Sequence, residues 1–160
     1  MIGPEDFRHL LAHFATGVTI VTTCDPDGRP AGLTVSAFAS LSLDPPLILV
    51  CVDHKAQSYP ALKDNRGFAV NILSTQHEAI SRRFASTRLD KFDGVPYHMS
   101  SLGLPLLGGA LAHIECVTVN RHVEGDHTIF VGRVETGAAA DGQPLLYHRG
   151  KYKRFEGGSV

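Results

Sequence analysis

The sequence contains no tryptophan, three cysteines and no large excess of charge of either sign. Its 15 Lys and Arg residues nearly balance its 16 Asp and Glu residues, so the formal net charge is -1 at pH 7. Nucleic acid and anionic membrane surfaces are held by a basic face, and this composition does not favour one. We therefore expect neither nucleic acid nor a membrane as a partner.

The few cysteines also indicate a cellular compartment. Cys24, Cys51 and Cys116 form no CxxC pair, and the last two lie in apolar runs. Cysteines of this kind are typical of small core residues in a reducing environment. No apolar run approaches the length of a membrane span, and Glu5 and Asp6 stand where a secretory leader would be basic. The sequence therefore predicts a cytoplasmic protein.

Several common catalytic motifs are missing as well. There is no HExxH, HxH or Cys/His spacing, so a dedicated metal site is not expected and the nine histidines are interpreted as scattered surface residues. The absence of GxSxG disfavours a serine hydrolase, although a convergent triad needs no such motif. Neither a Walker phosphate loop nor a GxGxxG fingerprint supports nucleotide binding by those two folds.

What the sequence does contain is a series of short strands. Its 160 residues suit one domain, which we expect to span residues 1–160. Residues 47–52 form an apolar run rich in β-branched side chains and too short for a globular helix, so they predict a strand buried on both faces. Other predicted strands, separated by turns such as DPDG and EGDH, cover residues 18–23, 68–73, 110–123, 128–136 and 151–155. The pattern favours a mainly β, antiparallel barrel with peripheral helices.

Three helices are predicted at the periphery of this barrel. The first is amphipathic and lies near the N-terminus, with one apolar face formed by Phe7, Leu10, Leu11 and Phe14. The others are predicted over residues 58–64 and 75–84, the latter opened by a capping box of Thr75 and Glu78. Residues 87–109 show little periodicity, and a loop of this length is often functional.

Two local features could carry chemistry. Residues 32–42 combine small side chains with hydroxyls such as Thr34 and Ser36, which would leave backbone amides open to a ligand; ordinary strand polarity is the simpler interpretation. The turn Gly125-Asp126-His127 could carry function, but by itself it is explained more simply as a hairpin, in which glycine supplies a positive φ and aspartate bonds to its own turn. Neither feature identifies a function by itself.

Taken together, motifs along most of the chain resemble the flavin reductase family. They are TVSAF, LDPPL, SYPALK, FAVNIL, SRRFAS, KF-G, GDH, GRV and Y-RG-Y. The resemblance implies an FMN-binding split β-barrel that reduces FMN or FAD with NADH or NADPH. It also implies a homodimer that passes diffusible reduced flavin to a flavin-dependent monooxygenase component.

The resemblance further implies which residues form the site. Those expected beside the flavin are Thr34, Val35, Ser36, Ala37, Ser40, Ser42, Cys51, Val52, Asp53, Lys55, Ser58, Arg83 and Phe84. Those expected beside the nicotinamide are Gly125, Asp126, His127 and Tyr152, with His127 as the catalytic residue. Arg83 is the first choice for the flavin phosphate because a guanidinium matches phosphate oxygens, and Arg82 is a second choice that could equally be solvated.

Two alternatives stay open at this point. A flavin-binding carrier or sensor without reductase turnover would share the barrel, but it would have no reason to keep the GDH turn. An oxidase of the pyridoxamine phosphate type would need a basic site for its substrate phosphate, and the sequence offers no clear one. The reductase interpretation therefore accounts for most of the motifs.

Overall fold

A computed structural model describes residues 1–155 of the chain. Its helices are α1 (Pro4–Leu11), α2 (Tyr59–Asp64) and α3 (Glu78–Phe84), with a 3-10 turn at Thr75–His77. Its strands are β1 (Thr16–Gly17), β2 (Thr19–Cys24), β3 (Pro30–Val35), β4 (Phe38–Leu43), β5 (Pro46–Asp53), β6 (Gly67–Ile72), β7 (Tyr97–Met99), β8 (Pro105–Leu107), β9 (Ala112–Glu124), β10 (His127–Ala139), β11 (Leu145–His148) and β12 (Lys151–Arg154). No helix within the described residues is long and apolar enough to cross a membrane.

Seven strands form one antiparallel sheet in the order β3-β2-β6-β9-β10-β5-β4. The sheet curls so that Val35 of β3, Val50 of β5 and Phe130 of β10 pack in one apolar core. Strands β3 and β4, at the two ends of the sheet, are not paired with each other, so the barrel is split there. The predicted mainly β split barrel with peripheral helices is confirmed.

Strand β5 was predicted correctly as a strand, but the prediction that it is buried on both faces was wrong. Its residues alternate: Ile48, Val50 and Val52 are buried, whereas Leu49 and Cys51 are only partly covered. Alternation is expected where one face of a strand packs on the core and the other faces a cavity or solvent. The outer face of β5 is therefore available to line a site.

The helical predictions were correct in position and less so in detail. Helix α1 forms near the N-terminus, but it ends at Leu11, before the predicted Phe14, and it buries none of its residues. The capping box at the start of the third helix uses Ser74 and His77, and Glu78 instead forms an ion pair with Arg82. The predicted loop after α3 contains the short hairpin β7–β8, which covers Ala69 on the outer face of the sheet with Leu104 and Leu106.

Candidate active site

An apolar cavity of about 810 Å³ lies on the outer face of β5. Leu49 and Cys51 belong to its lining because they occupy the outward positions of that strand. The connection between β3 and β4 contributes Ser36 and Ala37, and helix α1 and its following turn contribute Leu11 and Phe14. The remaining lining residues are Ala12, Ala15, Thr16, Gly17, Thr19, Phe38, Ala39, Ile72 and Tyr147. We call this cavity the apolar compartment.

A second cavity of about 440 Å³ has a more polar lining. Its hydroxyl-bearing residues include Thr34, Ser36, Ser86 and Tyr152, and it contains one guanidinium, that of Arg82. The rest of the lining is Val18, Ala85, Tyr147 and Gly150. Ser36 and Tyr147 line both cavities, so this polar compartment adjoins the apolar one.

Arg82 is held in place by two neighbours. Its Nε and Nη2 atoms donate to Glu78 Oε1 at 3.0 Å and 2.7 Å, and this hydrogen bonding raises the pKa of Arg82. Its guanidinium carbon lies 4.6 Å from the centre of the Tyr152 ring, as in a cation–π contact. Tyr152 is fixed in turn by a 2.8 Å hydrogen bond between its hydroxyl and that of Ser81. The polar compartment therefore contains an oriented cation.

Arg83 lies elsewhere, although it was the first choice for the phosphate. Its Nη1 atom donates to the carbonyl of Asp93, and Arg83 lines neither compartment. Successive residues of an α-helix point about 100° apart, and here Arg82 faces the cavity while Arg83 points to the following loop. Of these two arginines, Arg82, a second choice, is the one that lines the polar compartment.

Several other predicted flavin residues are not exposed to either cavity. Val35, Val52 and Phe84 are core residues with 4%, 1% and 1% of their surface exposed, so their side chains cannot contact a ligand in the cavities as the structure stands. Ser58 is also buried and donates its hydroxyl to the carbonyl of Gly32 at 2.7 Å. Two predicted serines, Ser40 and Ser42, flank a register shift in β4 and line neither compartment.

The GDH turn connects β9 to β10 beside the end of β5. Gly125 has φ of 59°, the left-handed conformation that glycine adopts without strain. His127 pairs across the strands with Asp53, which lies on the same face as Cys51 and about 7 Å further along β5. The exposed side chain of Lys55 follows in the next loop, where its backbone N–H donates to Asp53 Oδ1 at 2.8 Å. The structure thus brings Gly125, Asp126 and His127 to β5, the strand that lines the apolar compartment. Tyr152, which was also predicted beside the nicotinamide, lies instead in the polar compartment next to Arg82.

The imidazole of His127 is oriented by its neighbour in the turn. Its Nδ1 atom lies 2.7 Å from Asp126 Oδ1, and this hydrogen bond is the main reason that the pKa of Asp126 is lowered. A carboxylate only accepts hydrogen bonds, so Nδ1 carries the proton. In the neutral ring, Nε2 is then the acceptor atom. The side chain of His127 is 44% exposed, which leaves it accessible to a second ligand.

Sequence reasoning missed part of the lining. Leu49, Phe38 and the α1 residues were not predicted as site residues, and Tyr147 was noted only within the Y-RG-Y motif. Alternation along β5 would have indicated Leu49, because it shares a face with Cys51. The α1 residues carry no such signal, since their position depends on how the helix packs on the barrel. Within residues 1–155, no three His, Cys, Asp or Glu side chains come together as a metal site.

Comparison with known proteins identifies the family. A family model described as a flavin reductase like domain matches residues 11–156. The chain belongs to this family. The reductase subunit HsaB of a flavin-dependent monooxygenase from Rhodococcus jostii is 42% identical over 97% of this chain and 80% of its own length. The FMN reductase (NADH) SmoA of Agrobacterium fabrum is 42% identical over 94% of this chain and 86% of its own.

Solved structures agree with this assignment. The NADH:FAD oxidoreductase SgcE6 of Streptomyces globisporus, in complex with NAD and FAD fragments, superposes with a TM-score of 0.89 at 37% identity. That match covers 97% of this chain and 96% of SgcE6. The flavin reductase PheA2 gives a TM-score of 0.90 at 37% identity and covers 98% of this chain and all of that one. The predicted family is confirmed, and this member is an NAD(P)H:flavin oxidoreductase.

Proposed function

We propose that FMN or FAD binds across the two adjoining compartments, with its ring in the apolar one and its phosphate in the polar one. The protein reduces this flavin with NADH or NADPH and supplies reduced flavin to a monooxygenase component. The observation that carries the binding proposal is the contact between an apolar cavity of about 810 Å³ and a polar one that contains Arg82. A flavin has the same division, a flat amphipathic ring joined to an anionic phosphate.

The side chains of the apolar compartment suit the flavin ring. Leu49, Cys51 and Ala37 offer a largely apolar surface, and the short side chains of Ser36 and Ala37 leave the backbone between β3 and β4 accessible. Backbone N–H and C=O groups can then match the polar edge of the ring, while the apolar surface excludes water from its faces. Bound flavin supplies the redox chemistry, accepting a hydride from reduced nicotinamide.

The polar compartment suits the phosphate. Two N–H groups of Arg82 donate to Glu78, and its remaining N–H groups are available to a ligand. A guanidinium binds phosphate oxygens in a forked geometry. The hydroxyls of Thr34 and Ser86 line the same compartment, but Thr34 Oγ1 donates to the Ser81 carbonyl at 2.7 Å and Ser86 Oγ to the Arg83 carbonyl at 2.6 Å. Each hydroxyl would have to rotate to donate to a phosphate oxygen. A charge-assisted contact of this kind favours FMN over riboflavin.

The GDH turn is the proposed nicotinamide site. Hydride transfer requires the nicotinamide to be held over the flavin ring at close range, so orientation is the main contribution of the protein. With Nδ1 bound to Asp126, Nε2 of His127 is the atom available to the nicotinamide carboxamide. His127 can thus orient the second substrate without taking part in proton transfer.

The assembly and location are part of the same proposal. A homodimer is supported by exposed apolar surface on α1 and the turn after it, where Phe7, Leu10 and Phe14 are 54%, 59% and 73% exposed. The partner would cover this surface, as in many symmetric dimers. Three free cysteines support a reducing cytoplasmic location. Reduced flavin reaches the monooxygenase component by diffusion.

An anaerobic assay tests the activity. Purified protein should oxidise NADH or NADPH only when FMN, FAD or riboflavin is supplied or already bound, because the reaction needs an acceptor ring. Absorbance at the nicotinamide and flavin bands would follow both substrates in one experiment. Tight flavin binding without nicotinamide oxidation at any pH would instead support the carrier or sensor alternative.

A further inference from the structure

A buried hydroxyl lies directly behind the GDH turn. Thr128 follows His127 in β10, and because side chains alternate along a strand, it points to the opposite face. The residue is only 2% exposed. Its Oγ1 atom lies 3.0 Å from His54 Nε2 and 3.0 Å from the hydroxyl of Tyr59. We call these three residues the turn clamp.

The clamp is tied to the turn by a second contact. The backbone N–H of His54 donates to the carbonyl of Asp126 at 3.0 Å. The His54 ring packs against the Tyr59 ring at 4.9 Å, and Tyr59 packs against Phe130 of the core at 6.2 Å. The segment between β5 and α2 is therefore anchored in the core at one end and bonded to the GDH turn at the other.

The clamp supports a hairpin whose two strands are held unequally by the sheet. Backbone pairing between β6 and β9 stops at Val117, well before β9 ends at Glu124, whereas β5 pairs with β10 as far as His127. A strand without a neighbour on one side opens more readily than a central strand does, so the end of β9 depends on β10 and the contacts behind it. The side chain of His127 can be placed well only if the backbone carrying it is fixed.

We infer that Thr128, His54 and Tyr59 are positioning residues for hydride transfer. They act through the backbone of the GDH turn, fixing the angle at which His127 meets the nicotinamide, and they do not contact flavin. This inference rests on the proposed role of His127. It gives a kinetic role to a network that would otherwise only stabilise the hairpin.

The test compares Thr128→Val and Tyr59→Phe with the wild-type protein. Each variant removes hydroxyl contacts of the clamp with little change in volume, so kcat/KM for NADH should fall about fivefold, the equivalent of one ordinary hydrogen bond. Flavin affinity, measured by fluorescence titration, should not change. Thr128→Ser keeps the hydroxyl and should restore most of the activity.

Thr23→Val is the matched control. Thr23 is also a buried threonine, and its hydroxyl donates to the carbonyl of Gly67 at 2.9 Å, on strands away from the turn. Both valine variants lose a buried hydrogen bond and should lower the melting temperature, but only Thr128→Val should slow flavin reduction. The same loss of activity in both variants, or a parallel loss of flavin affinity, would show that Thr128 is merely structural.

One further pair of measurements separates this inference from the proposed function. If the wild-type protein oxidises neither NADH nor NADPH, the proposed function fails. If the wild-type protein is active and His127→Ala slows hydride transfer, yet Thr128→Val and Tyr59→Phe behave as wild type, the proposed function stands and the turn clamp is refuted.

Discussion

Arg82 and Arg83 are neighbours in α3 with opposite surroundings. Arg82 lines the polar compartment and packs over Tyr152, whereas Arg83 donates to a backbone carbonyl in the following loop. A sequence that reads Ser-Arg-Arg-Phe cannot show which guanidinium faces the barrel, because the answer depends on how the helix rotates on β3. The sequence could therefore not show which arginine lines the polar compartment.

Substitution of each arginine by alanine tests this assignment. Arg82→Ala should weaken FMN binding about tenfold and riboflavin binding far less, because only FMN carries the phosphate. Arg83→Ala is the matched control and should leave both affinities near the wild-type values. Fluorescence titration with the two flavins measures the difference. If Arg83→Ala shows the selective loss instead, the phosphate lies outside the polar compartment.

The GDH turn was easier to predict because its geometry is local. Glycine at the left-handed position and aspartate bonded to the next side chain are properties of the tripeptide itself. The position of the turn beside Asp53 is not local, since it requires the register of β5 against β10. The clamp behind the turn was missed for the same reason: Thr128 and Tyr59 are 69 residues apart in the chain.

At the level of elements, the positions of strands joined by short turns were predicted well. The burial of the β5 side chains was not predicted correctly. The run at residues 47–52 is apolar on both faces, which normally indicates a fully buried strand. Here the outer face is apolar because it lines a cavity. The short strands β1 and β11 were not predicted, since a two-residue strand such as β1 has no periodicity to detect.

Gly132 of β10 shows how tightly the elements of the barrel pack. A Cβ atom at this position would lie 2.6 Å from Phe68 Cζ and 2.7 Å from Cys116 Cβ, closer than real contacts allow. Burial in this same packing raises the pKa of the Cys116 thiol to about 12. The glycine of the GRV motif is therefore required for β10 to approach β6 and β9.

Gly132→Ala should destabilise the protein by about 1–3 kcal/mol, the usual cost of adding a methyl group to a packed core. Chemical denaturation measures the free energy of unfolding directly. Gly17→Ala is a suitable control for stability, because a Cβ atom there would have no neighbour within 4 Å. Equal stability of the two variants would mean that the core around Phe68 can relax without cost.

At the scale of the whole molecule, the exposed apolar surface is the main unexplained feature of the single chain. Helix α1 buries none of its residues, and β4 is an end strand of the sheet whose Leu41 and Leu43 are 49% and 95% exposed. Exposed apolar residues on an end strand favour pairing with another chain. The sequence predicted an amphipathic helix covering the barrel, and its apolar face contributes to the apolar compartment while staying largely open to solvent.

These surfaces lead to a prediction about assembly. If a second copy covers them, sedimentation velocity should give a mass twice that of the 17.2 kDa chain at micromolar concentration. Leu43→Glu should shift the equilibrium towards monomer, because it places a charge at an apolar contact where it would have to be desolvated. Leu89→Glu changes a leucine that is 91% exposed in the loop after α3, so it should leave the dimer intact.

A wild-type protein that stays monomeric at every concentration would refute the dimer. A dimer insensitive to Leu43→Glu would mean that the interface does not include β4. Because α1 lines the apolar compartment, a dimer that covers α1 should also bind flavin more tightly than the Leu43→Glu monomer does.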